Sequence, residues 1–145
     1  MGPSSVFDFI LLTLSLTAST SAALGINCRG SANCNTFGNN QIAAQLTHAI
    51  SGIDGNRWYN NGDHIACVGS GAPITGNGGF CAFLQGTGGT NGAKIKELAH
   101  YIPEHGCGAC GSVPYFYPGD NNVAHGELTF NYVSNSCTKD DAKLC

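Results

Sequence analysis

The sequence predicts an α+β fold in two layers, one sheet covered on one face by two helices and stabilised by disulfides. Three observations carry this reading. Eight cysteines follow an apolar leader. Two segments repeat apolar residues at the helical period, and one late segment alternates at the strand period.

The leader comes first. Phe7 to Leu16 reads FDFILLTLSL, followed by the small and polar run TASTSAA, with Ser21 and Ala23 at the spacing a signal peptidase accepts. About ten apolar residues are half of what a membrane span requires. The expectation is a signal peptide over residues 1–23, a mature start at Leu24, and a secreted, extracellular protein. Export to an oxidising compartment makes eight cysteines a disulfide framework. The remaining chain carries all six Lys/Arg and eight of the nine Asp/Glu. A mildly acidic balance excludes the clustered positive charge of a nucleic-acid surface and the polybasic face of a lipid-binding one. No nucleic acid, no stable membrane insertion and a monomer are expected.

Leu24–Cys28 is a short extended start, and residues 29–38 are turn-rich. A helix is predicted over Asn40–Ile50, where Ile42, Leu46 and Ala49 or Ile50 share one face, Asn39 or Asn40 caps the free amides and the Gly52–Gly55 region ends it. Asn56–Asp63 reads as a polar turn holding Trp58 and Tyr59, both assigned structural roles. His64–Val68 and Phe80–Leu84 are strand candidates joined by a glycine-rich loop. The second helix, Ala93–His100, follows Thr90 or Asn91 as cap. Its stripe is Ile95, Leu98, Ala99 and Ile102, with Lys94, Lys96 and Glu97 toward water, and Pro103 ends or distorts it. Gly126–Val133 alternates, with Leu128, Phe130 and Tyr132 on one face and Glu127, Thr129 and Asn131 on the other.

No catalytic constellation emerges. Cys107-Gly-Ala-Cys110 has the CxxC spacing of redox and metal sites, but no strand leads into it, no helix opens from it, and no second CxxC completes a zinc set. It reads as two structural bridges. His48, His64, His100, His105 and His125 are scattered. Ser112 and Ser136 lie outside any nucleophile elbow. Glu97 and Glu104 are the only carboxylate pair that suggests acid–base work, and surface charge is the simpler reading. The glycine runs lack the Lys-Ser/Thr of a phosphate loop. Hence no enzyme, no cofactor and no metal are expected. Tyr115, Phe116 and Tyr117 are consecutive aromatics that cannot all face one core, which makes them a candidate contact surface.

Two blocks carry a resemblance. LGINCRGSANC at Leu24–Cys34 and HGCGACGSVPYFYPGDNNVAHGELTFNYVSNSC at His105–Cys137 resemble the KP4-like killer toxins, small secreted proteins of fungi and fungal viruses. The resemblance divides the chain into a signal peptide (1–23), a toxin domain (24–137) and a C-terminal extension (138–145). It implies an α/β sandwich with an antiparallel sheet and two antiparallel helices packed on it. It also implies antifungal activity at the cell surface through inhibition of calcium uptake, with a calcium channel or other surface protein of the target fungus as partner. A secreted fungal effector or interaction protein on the same scaffold is the alternative.

Cysteine count alone leaves roughly a hundred pairings open. By position, the resemblance implies Cys28–Cys107, Cys34–Cys110 and Cys67–Cys137, which leaves Cys81 for Cys145. The family's basic position, two residues before the cysteine matched by Cys67, falls on Ile65 here. His64 beside it is the one group there able to become cationic. His64 and Ile65 therefore join Tyr115, Phe116 and Tyr117 as candidate surface residues.

Overall fold

The alternating segment forms strand Glu127–Val133 (β6). It runs antiparallel to Gly79–Gln85 (β3) through seven residue pairs, from Gly79↔Val133 to Gln85↔Glu127. The structure is a computed structural model that describes residue 2 and residues 23–145; the leader lies outside the described residues. Ala66–Gly69 (β2) pairs with the free side of β3, and Gly111–Pro114 (β5) with the free side of β6. Lys143–Leu144 (β7) pairs with β2, giving one antiparallel sheet of order β5-β6-β3-β2-β7. A separate ribbon joins Trp58–Tyr59 (β1) to Thr90–Asn91 (β4).

One sheet face carries Phe80, Ala82 and Leu84 from β3, Leu128 and Phe130 from β6, and Val113 from β5. Two helices cover it: Ile42–Ser51 (α2) with Ile42, Ala43, Leu46 and Ile50, and Gly92–Ala99 (α3) with Ile95, Leu98 and Ala99. All these residues are buried in one cluster. Each large aliphatic side chain there gains about 2–3 kcal/mol from leaving water. The α+β architecture and both helical stripes are as the sequence predicts. A four-residue helix at Asn33–Thr36 (α1) replaces part of the turn-rich segment.

The caps divide. Asn91 Oδ1 accepts the Lys94 amide at 3.1 Å, as anticipated. At α2 the asparagine cap is not made: Asn39 Oδ1 takes the Gln41 amide ahead of the helix, and the Ala43 amide is satisfied instead by the Gly108 carbonyl of the CxxC loop at 2.8 Å. Pro103 distorts rather than stops the second helix, which breaks at His100 and resumes as Tyr101–Glu104 (α4). Proline has no N–H to give the Ala99 carbonyl. Thr47 Oγ1 of α2 lies 2.8 Å from the Ala43 carbonyl of its own helix and 3.3 Å from the Ala99 carbonyl, so its single proton goes chiefly to Ala43 and Ala99 is at most a weak second acceptor.

The outer sheet face is less open than alternation implies. Thr129 is buried and hydrogen-bonds Ser112 Oγ (2.8 Å) and Gln85 Oε1 (3.0 Å), while Asn131 Oδ1 accepts the Ser31 amide at 3.0 Å. Burial raises the Glu127 carboxyl above its ordinary value of 4.5, a shift that the Ser112 hydroxyl partly opposes. A carboxyl raised on folding ionises first in the unfolded chain, so this residue's contribution weakens the fold as pH climbs from about 4.5 through the folded pKa. Glu127→Gln should therefore be more stable than the parent at pH 7 and equal to it below pH 4, measured by urea unfolding at each pH.

Tyr59 is 1% exposed, and its hydroxyl is buried without a hydrogen-bond partner. Arg57 lies over its ring, 4.7 Å from the centroid. Burial raises the phenol above its usual value, while the Arg57 charge opposes the rise. A desolvated, unpaired hydroxyl costs about 1–3 kcal/mol. Tyr59→Phe should thus raise stability by about 1 kcal/mol, read as a higher denaturant midpoint at unchanged slope.

Candidate functional site: a disulfide frame and an aromatic surface

Four disulfides frame the molecule, and all eight cysteines are bonded. Cys28–Cys107 and Cys34–Cys110 anchor the N-terminal segment to the CxxC loop, as the resemblance implies. The other two expectations, Cys67–Cys137 and Cys81–Cys145, are corrected. The bridges are Cys67–Cys81 and Cys137–Cys145. The reason is register: Cys67 on β2 stands directly opposite Cys81 on β3, with Cα atoms 4.1 Å apart, so the two side chains meet on the outer face. Cys137 is left to the extension. His64, Cys67 and Cys81 place ligand-type atoms within 4.8 Å of one another, as do Cys67, Cys137 and Cys145. Bonded sulfurs offer no thiolate, so neither group is a ready metal site.

The surface candidates separate. Ile65 is fully buried in the core cluster; its amide donates to the Ala82 carbonyl at 2.8 Å, and its carbonyl accepts from Cys145 at 3.0 Å. It is not a surface residue, which corrects its candidacy. Ile65, Ala66 and Val68 all reach the core, so alternation starts only inside β2. His64 is half-buried, its ring 6.2 Å from that of Phe83.

The aromatic run splits three ways. Tyr115 is partly buried, donates its hydroxyl to Thr90 Oγ1 at 2.9 Å and has Lys94 Nζ 5.5 Å from its ring centre. Lys94 is therefore drawn over an aromatic face rather than standing free in water. Phe116 is 56% exposed and packs edge-on against Tyr115. Tyr117 is partly buried against Tyr101 and lines a cleft of about 280 Å³ with Ile26, Glu104 and His105.

Trp58, given a structural role from sequence, is 58% exposed. Its indole N–H donates to Asn60 Oδ1 at 3.3 Å, and it lies over Gly89, where a Cβ would come within 2.8 Å of the indole nitrogen. Gly89 also has φ of +83°, a conformation that favours glycine. The signal was available: adjacent residues of a strand point to opposite faces, so burying Tyr59 turns Trp58 outward. Trp58 stands opposite Asn91, next to the Thr90 that binds Tyr115. Trp58 thus sits on the β1–β4 ribbon, and Phe116 packs on the Tyr115 whose hydroxyl reaches that ribbon.

The carboxylates are spoken for. Glu97 pairs with Lys94 at 2.9 Å and Glu104 with His100 at 2.9 Å, so they do not form an acid–base dyad. Among the described residues, no helix is long and apolar enough to cross a membrane.

A sheet backed by helices and closed by four bridges, with isolated aromatics outward, defines a disulfide-stabilised α+β sandwich of the killer-toxin type. The chain belongs to the Kp4 family, whose sequence profile matches residues 11–134. It is similar to the KP4 killer toxin of Ustilago maydis P4 virus, with 35% identity over 116 residues that cover 79% of this chain and 84% of that relative. Cys137 and Cys145 both lie beyond the family match.

Burial sets the cost of change at the two best-defined positions. Ile65→Lys places an unpaired charge in the core and should cost on the order of 3–5 kcal/mol. Phe116→Ala at an exposed position should stay within about 0.5 kcal/mol. Thermal melts of the two variants, side by side, check both.

Proposed function

We propose that this chain is a secreted killer-toxin-type antifungal protein that acts at the surface of a target cell without catalysis. The observation that carries the reading is family membership: identity to a killer toxin extends over most of both chains. The leader supports export, and bonding of every cysteine suits an oxidising environment. The contact surface is assigned to Phe116 and Trp58, with Tyr115 beneath as support. Aromatic side chains of this kind anchor interfaces because they bury much area with few rotors. The finer mechanism, inhibition of fungal calcium uptake, follows from the killer-toxin resemblance.

Purified protein should slow the growth of sensitive fungi, and raised external calcium should relieve the effect. Inhibition indifferent to calcium would retain the toxin and reject the channel. No inhibition across a broad fungal panel at micromolar dose would reject the toxin. Trp58→Ala and Phe116→Ala, each with unchanged melting, should weaken inhibition several-fold.

Burial of Ile65 favours a second reading. The family's basic position holds an inward apolar side chain, so no cation stands there to meet a channel mouth. A secreted effector or interaction protein that kept the scaffold and changed its contacts fits that substitution. Because lysine at residue 65 would unfold the core, the informative change is His64→Lys. Stronger fungal inhibition supports a weakened channel blocker. Unchanged inhibition, with specific capture of a plant protein and no binding to fungal membranes, supports the effector.

A further inference from the structure

The chain's single tryptophan, Trp58, is 58% exposed yet tightly mounted. One edge of the indole rests on Gly89, where an added Cβ would lie 2.8 Å from Nε1 and 3.0 Å from Cε2. Its N–H is already taken by Asn60 Oδ1. The ribbon beneath is tied by side chains as well as by strand pairing. Asn61 donates from Nδ2 to the Thr87 carbonyl at 2.6 Å and accepts from Thr87 Oγ1 at 2.7 Å. Thr87 Oγ1 in turn accepts the Gly89 amide at 2.9 Å, and the Gly92 amide donates to the Arg57 carbonyl at 2.8 Å. Two loops distant in sequence thus brace one exposed indole face whose only polar atom is satisfied.

The groups around that face are amides. Asn91 stands opposite Trp58 in the ribbon register, so both side chains share one face, and Asn60 is joined to the indole by its hydrogen bond. Both asparagines are exposed, and among the described residues their Nδ2 groups make no hydrogen bond. The nearby charges are engaged elsewhere: Asp63 accepts the Asn60 amide, Arg57 lies over the Tyr59 ring, and Lys94 pairs with Glu97. A side-chain amide donates and accepts, as a hydroxyl does. The fit is to a neutral ligand with one flat apolar face and hydroxyls at its rim.

We propose that Trp58, with Asn60 and Asn91, binds a saccharide of gluco-configured pyranose rings. Such a ring carries its hydroxyls equatorially, so its axial C–H groups form an apolar face that stacks on the indole while the rim hydroxyls meet the two amides. Size decides for a sugar over a protein. The exposed indole offers roughly 110 Å² of apolar surface, against about 800 Å² per partner in a stable protein interface. Of the exposed large apolar side chains among the described residues, Trp58 is the one on this ribbon. The braced mount removes most of the cost of ordering the protein side on binding. The inference rests on the reading of Trp58 as a contact residue and names the chemistry of its partner.

The emission of a single tryptophan reads the site directly. Purified, disulfide-intact protein is titrated with laminarihexaose, a glucose oligomer, and with chitohexaose, an N-acetylglucosamine oligomer. A saturable change in emission is expected with at least one of them, with a Kd on the order of 1 mM; the oligomer that responds identifies the sugar. Sorbitol has the hydroxyls without the ring face and should give no saturable change. Asn91→Asp keeps the Oδ1 acceptor that caps α3 and loses the Nδ2 donor, so it should melt as the parent does and bind about threefold more weakly or worse. Trp58→Ala, read by retention on the matching insoluble polymer, should lose binding at unchanged melting. Flat emission with both oligomers at tenfold that concentration, an equal response to sorbitol, or full retention of Trp58→Ala would each overturn the proposal. The readout is independent of cell growth. Saccharide binding without fungal inhibition would reject the antifungal reading alone, and inhibition that depends on Trp58 with flat emission would reject the saccharide alone.

Discussion

The pairing of β3 with β6 is the constraint on which the rest depends. Its inner face supplies Phe80, Ala82, Leu84, Leu128 and Phe130, the floor against which both helices bury their stripes. Its outer face carries Cys81, Thr129 and Asn131, which bind the β2 bridge, the β5 hydroxyl and the N-terminal segment. The pairing is also non-local, because everything from β4 to β5 lies between the two strands in sequence. Closing so long a connection costs entropy before any contact rewards it. Cys28–Cys107 and Cys34–Cys110 bind that connection to the N-terminal segment, and such cross-links restrict the unfolded chain. Glycine fits the same connection where approach is closest: at Gly92, which opens α3, a Cβ would lie 2.2 Å from the Asp54 carbonyl oxygen.

Much of the fold was legible because burial writes a period into the sequence. Ile42, Leu46 and Ile50 on α2, and Ile95, Leu98 and Ala99 on α3, are spaced for one helical face and lie on one. Leu128 and Phe130 alternate and are buried together. The short strands β1, β4 and β7 were not legible, since two residues carry no period and their strand character comes from their partners. The missed cap at α2 has the same origin. The group that satisfies the Ala43 amide is a carbonyl from the CxxC loop, far away in sequence.

The site was less legible, and the cysteines show why. Transfer by position recovered the bridges at Cys107 and Cys110, where the flanking sequence matches the family closely. It failed for Cys67, whose partner is fixed by the β2–β3 register and not by any local motif. Ile65 failed similarly. The family's basic position falls on it, which suggested surface, but the chain enters β2 without alternating, and successive residues turn inward. Phe116 and Trp58 were recoverable in part. Consecutive aromatics cannot share one face, yet only the tertiary contacts of Tyr115 and Tyr117 show which member is left outside.

That distribution decides which physics is left for recognition. Asp and Glu outnumber Lys and Arg, Lys94 is engaged by Glu97 and Tyr115, and position 65 holds no charge, so long-range attraction to an anionic target is weak. Apolar burial remains. Trp58 and Phe116 are each a little over half exposed. An aromatic side chain of about 200 Å² therefore has roughly 110 Å² left to bury, worth about 3 kcal/mol at the usual coefficient. Two such anchors give about 6 kcal/mol, whereas micromolar affinity requires about 8 kcal/mol after the cost of association. The aromatics alone fall short, and the difference has to come from polar groups around Trp58, where Arg57, Asn60 and Asn91 are exposed. Binding built this way depends on shape and desolvation more than on ionic strength. Affinity for the proposed cell-surface target should accordingly change less than threefold between about 50 and 200 mM salt, whereas a charge-steered contact falls steeply over that range. Surface-plasmon measurements on target membranes at the two salt concentrations separate the cases, and a steep salt dependence would return the weight to charge.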